Sequence, residues 1–91
     1  MQQREIHFSG HVQGVGFRFT TRSVAGHYNV TGFVQNLTDG RVRVIVEGQS
    51  DEIDRFIQDL TEKMCHFIRS HTTDTKPATG RYADFSVAPT E

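Results

Sequence analysis

The sequence predicts an α+β fold of the split βαβ kind, an antiparallel sheet with two helices packed on one of its faces. Apolar residues recur at a period of two before Gly10, from Val30 and from Val42, and at helical spacing in two further stretches. Their order along the chain is strand, helix, strand, strand, helix, strand. The 91 residues are expected to form one domain, residues 1–91, burying roughly 60–65% of the surface of its unfolded chain.

The first strand places Ile6, Phe8 and Val12 on one side of a two-residue repeat and His7, Ser9 and His11 on the other. It feeds the stretch Gly10-His11-Val12-Gln13-Gly14-Val15-Gly16-Phe17-Arg18. A helix is expected from about Phe19 to Tyr28, with Phe17, Val24, Ala25 and Tyr28 sharing part of one face and Thr20 and Thr21 in its first turn. Val30 to Leu37 reads as a second strand, Thr38-Asp39-Gly40 as a hairpin turn, and Val42, Val44 and Val46 as the inward face of a third strand ending at Gly48. Ser50, Asp51 and Glu52 supply a cap and an acidic first turn for a second helix, whose apolar stripe is Ile53, Phe56, Ile57, Leu60 and Met64. Phe85 and Val87 suggest a last strand; His66 to Ala83 reads as irregular, with room for a short strand around Phe67 to His71.

The glycine-rich stretch carries the chemistry. Gly14 and Gly16 open backbone angles closed to other residues, so successive N–H groups converge on one point, and Arg18 adds a planar, permanently charged fork matched to phosphate oxygens. Arg18 also stands near the start of a helix, where unpaired N–H groups and the helix dipole favour an anion. These residues therefore point to a phosphoryl ligand; the competing reading is a tight turn followed by a solvated arginine.

Other chemistries fit less well. Ten Lys and Arg against eleven Asp and Glu give no broad basic field for nonspecific nucleic-acid binding. Valines occupy the third strand, where an RNA-recognition module of the same ferredoxin-like topology needs stacking rings. The histidines at 7, 11, 27, 66 and 71 make no zinc-like set with Cys65, and no Walker motif is present. Ser9, Ser23 and Cys65 lack a base and an orienting partner, so no covalent nucleophile is expected. The lone Cys65 forms no intrachain disulfide and no apolar N-terminal run suggests a signal peptide or span, so a cytoplasmic monomer off the membrane is expected.

The order Gly10-x-Val12-Gln13-Gly14-Val15-x-Phe17-Arg18 resembles the first signature of the acylphosphatase family, and Gly32-Phe33-Val34-Gln35-Asn36 followed by Asp39-Gly40-Arg41-Val42 looks like its second. The resemblance runs from the first strand through the second helix. Beyond it, the Gly-Pro often found in the family after that helix is absent, and His11 stands where a basic residue is usual. It implies hydrolysis of carboxyl-phosphate anhydrides to a carboxylate and inorganic phosphate, with no metal or organic cofactor and with phosphate as product and inhibitor. A carboxylate leaves without a protein acid, so the remaining tasks are to hold the phosphoryl group and to place water in line with the departing oxygen. By the resemblance, Gln13, Gly14, Val15, Gly16, Phe17 and Arg18 bind the phosphoryl group, and Arg18 and Asn36 are catalytic. The amide of Asn36 can orient water without repelling phosphate, although an asparagine before a hairpin equally serves the turn. Gln13 is an orienting residue or a loop contributor, and Arg22 adds field or faces solvent. The alternatives are a noncatalytic phosphate-binding regulatory module and, less favoured, a ferredoxin-like RNA-binding domain.

Overall fold

The computed structural model describes residues 1–91. In chain order the elements are β1 (Gln2–Gly10), α1 (Phe17–Ala25), β2 (Val30–Asn36), β3 (Val42–Gly48), α2 (Ser50–Lys63), β4 (Ile68–Pro77) and β5 (Phe85–Val87). They form a sheet of order β4-β1-β3-β2-β5. The first four are antiparallel neighbours throughout, and β5 joins the outside of β2 in parallel.

Register explains the core. Ile6 lies opposite Val44 and Phe8 opposite Val42 across β1 and β3, while Val34 of β2 meets Val44 from the other side. These side chains therefore share one sheet face, where they pack with Phe17, Val24 and Ala25 of α1 and Ile53, Phe56 and Leu60 of α2. At Gly32 a side chain would place its Cβ 1.8 Å from the Ile45 carbonyl oxygen, so only glycine lets β2 run this close to β3.

Several boundaries differ from the sequence expectation. The first helix begins at Phe17 and ends at Ala25; Tyr28 lies beyond it and donates its hydroxyl to Asp59 of α2 at 2.9 Å. Ser50 is the first helical residue rather than the cap, and its hydroxyl accepts from Arg4 Nη2 at 3.3 Å. The strand expected near Phe67 to His71 is a ten-residue edge strand. Phe85–Val87, expected as the fourth strand, is a fifth, so the sheet is mixed. The cause is visible in burial: β4 past Ile68 is exposed on both faces, so its residues show no apolar alternation.

The sheet face away from the helices is partly covered by the segment after β4. Tyr82 packs on Phe33, ring centroids 5.8 Å apart. Glu47 of β3, only 3% exposed, accepts hydrogen bonds from Gln3 Nε2 at 2.6 Å, the Thr79 N–H at 2.9 Å, the Thr79 hydroxyl at 2.8 Å and the Gly80 N–H at 3.0 Å. Burial alone would raise its pKa, but these donors outweigh that and lower it from 4.5 to about 2. No helix is long and apolar enough to cross a membrane.

Candidate active site

The chain leaves β1 at Gly10 and must turn onto the sheet before α1 can begin. Gln13 fixes that turn: its Nε2 donates to the carbonyls of Leu37 at 2.8 Å and Arg41 at 3.0 Å. The side chain thus clamps the loop to the β2–β3 hairpin, beside the strand end that carries Asn36. Asp39 braces the same hairpin, accepting from the Arg41 N–H at 3.0 Å and Nε at 2.8 Å. The backbone N–H bond, helped by the guanidinium, holds its carboxyl below the usual carboxylate range.

Gly14 and Gly16 have φ of 77° and 79°, and a Cβ at either would meet nothing within 4 Å. Conformation, not space, therefore calls for glycine at both positions. Gly16 occupies the cap position of α1 with no side-chain cap, and its carbonyl accepts the Thr20 N–H at 3.0 Å. The N–H groups of Gln13, Gly14, Val15 and Gly16 donate to no backbone carbonyl. With the open first turn of α1, they leave a cluster of free donors at the positive end of a helix dipole.

Phe17 anchors the helix start, 2% exposed and 5.2 Å from the ring of Phe8. With Phe17 turned inward, Arg18 is directed into a cavity of about 370 Å³. Gly14 and Gly16 of the loop line it, with Arg18, Phe19 and Arg22 of α1, Asn36 of β2 and Val87 of β5, over Val12 and Phe17. Arg4, Arg41, Arg43 and Arg55 each pair with a carboxylate, whereas Arg18 and Arg22 pair with none. Asn36 ends β2 opposite Val42, and its carbonyl accepts the Glu91 N–H at 3.1 Å. Its side-chain Oδ1 is shielded from solvent and has no hydrogen-bond partner. Gln35 Oε1, on the neighbouring residue of the same strand, is shielded and unpaired in the same way.

Arg18 and Asn36, with Gly14, Gly16 and Phe17, are thus brought to one cavity. Gln13 and Val15 are not among its lining side chains: Gln13 binds the hairpin, and Val15 packs partly against the core. Arg22 was readable as a lining residue from its spacing, four positions after Arg18 and hence on the same helix face. Val87 was not, because only the parallel pairing of β5 beside β2 brings it there.

A sequence model of the acylphosphatase family matches residues 4–87. The chain belongs to the acylphosphatase family. The match extends past the two signatures, through β4 and β5. The acylphosphatase of Syntrophus aciditrophicus (strain SB) is 35% identical over 88 residues, covering 96% of this chain and 92% of that protein. That of Archaeoglobus fulgidus is 49% identical over 53 residues, covering 58% of this chain and 60% of that protein. Among solved structures, acylphosphatase from Bacillus subtilis superposes with a TM-score of 0.86 at 26% identity, covering 97% of this chain and 99% of that one. Full-length HypF in its phosphate- and nucleotide-bound form matches with a TM-score of 0.83 at 30% identity over 99% of this chain, which corresponds to 12% of that larger protein.

Proposed function

We propose that this acylphosphatase-family chain hydrolyses acyl phosphates by in-line attack of water on phosphorus. The acyl phosphate dianion and one water give a carboxylate and a dihydrogen phosphate anion; a bond forms from the water oxygen to phosphorus, the bond from phosphorus to the acyl oxygen breaks, and both water protons end on the phosphate. The loop N–H groups from Gln13 to Arg18 and the Arg18 guanidinium hold the phosphoryl oxygens and take up the charge spread over them in the transition state. Arg22, one turn on, adds a second positive charge to the same cavity. The Asn36 side-chain amide, which can both donate and accept, orients the attacking water so that its lone pair is aimed at phosphorus. The carboxylate leaves as a weak base, so no protein acid is required.

The observation that carries this reading is the convergence of Arg18, which pairs with no carboxylate, and of Asn36 on one cavity. One group suits an anion and the other suits a water. The site is complete within one chain, which supports a monomer built as one domain; the balanced charge and single cysteine fit a cytoplasmic enzyme acting on small molecules. The test is hydrolysis of benzoyl phosphate with a chelator present, together with inhibition by inorganic phosphate, sulfate or vanadate. Turnover with competitive inhibition is expected; anion binding without turnover would instead make the chain a phosphate-binding module.

A further inference from the structure

The rim of the cavity carries a feature that phosphoryl transfer does not use. Three large apolar side chains stand exposed on this chain, Met1 at 73%, Phe19 at 77% and Val87 at 37%. Two of them, Phe19 and Val87, line the same cavity from different elements. Phe19 lies outside the hydrophobic core and takes part in none of the aromatic pairs. Nothing in the fold thus accounts for a phenyl ring beside Arg18, where a polar helix residue would be better solvated.

We infer that Phe19 and Val87 form an acyl-group subsite that selects acyl phosphates with an aromatic or bulky apolar acyl group; the inference rests on the acyl phosphate hydrolysis proposed above. Such a substrate is charged at one end and apolar at the other, and the cavity is divided in the same way. Arg18, Arg22 and the loop N–H groups take the phosphoryl end. The acyl group then leaves the cavity past the rim, where contact with Phe19 and Val87 removes apolar surface from water on both sides. An acetyl group is too small to cover that rim, whereas a benzoyl ring covers it and can meet the Phe19 ring at an offset or edge-on.

The test is the ratio of kcat/KM for benzoyl phosphate to kcat/KM for acetyl phosphate, measured for wild type, Phe19→Ser and Phe19→Leu. Each ratio is set against the wild-type ratio, so the different intrinsic reactivities of the two anhydrides cancel. Phe19→Ser is expected to lower the ratio by about five- to tenfold, the scale set by losing part of one aromatic contact. Phe19→Leu, which keeps an apolar surface, is expected to stay within about twofold of wild type. Thermal unfolding of both variants should match wild type, because the side chain is 77% exposed. An unchanged ratio in Phe19→Ser, or an equal fall in Phe19→Leu, would overturn the subsite while leaving the hydrolysis intact. Failure of wild type to hydrolyse either compound would instead remove the activity on which the subsite rests.

Discussion

Arg18 sits where helix energetics argue against it, with Arg22 one turn further on. The first turn of α1 is the positive end of its dipole and holds no acidic residue, and two like charges four residues apart repel. Both effects reverse once an anion lies between the guanidiniums and the helix start, which is why residues that violate a local rule mark the site. Replacing Arg18 by lysine keeps the charge and removes the fork, so kcat/KM for benzoyl phosphate should fall by a factor of about a hundred or more. Thermal unfolding should stay within about a degree or two of wild type, since no ion pair is lost. Arg18 and Asn36 were legible because motif order places them. The clamp made by Gln13 was not, since its acceptors at Leu37 and Arg41 are set by a tertiary contact that no local pattern encodes.

At the scale of elements, the site depends on how the loop enters α1. Gly16 holds the cap position at φ 79° in open space, so Gly16→Ala adds backbone strain without a clash. We expect a loss of about 1–2 kcal/mol in unfolding free energy, read by urea denaturation, and a raised inhibition constant for inorganic phosphate as the free N–H groups are re-aimed. Unchanged stability and inhibition would show that the left-handed cap is dispensable. The helices and the hairpin were readable because each buries one face and therefore repeats apolar residues at its own period. The run Arg69-Ser70-His71-Thr72-Thr73-Asp74-Thr75-Lys76 forms most of β4 yet buries neither face, so its pairing with β1 is recorded in the backbone and not in side-chain pattern. The lining role of Val87 was hidden for a related reason, because a three-residue strand is too short to announce its partner.

Across the whole molecule, the helix-covered face holds the core and the opposite face is closed in part by the segment that Glu47 ties down. A carboxyl whose pKa falls from 4.5 to about 2 on folding contributes stability that is fully present above its unfolded value and is lost as pH drops toward the folded one. The full effect is about 3 kcal/mol. Urea denaturation should therefore show wild type weakening from pH 5 down to pH 2, and Glu47→Gln should be less stable at pH 7 with a shallower acid limb. Parallel acid limbs for the two proteins would assign the loss to other carboxyls. The central claim concerns the other end of the sheet, where one group holds the phosphoryl oxygens and another holds the water. Asn36→Ala separates them most directly, by measuring kcat for benzoyl phosphate and the inhibition constant for inorganic phosphate on the same folded variant. The account predicts that kcat falls by a factor of hundreds, the scale of losing one oriented transition-state group, while the phosphate inhibition constant stays nearly unchanged. Phosphate affinity lost in proportion to turnover, or full activity retained, would contradict it.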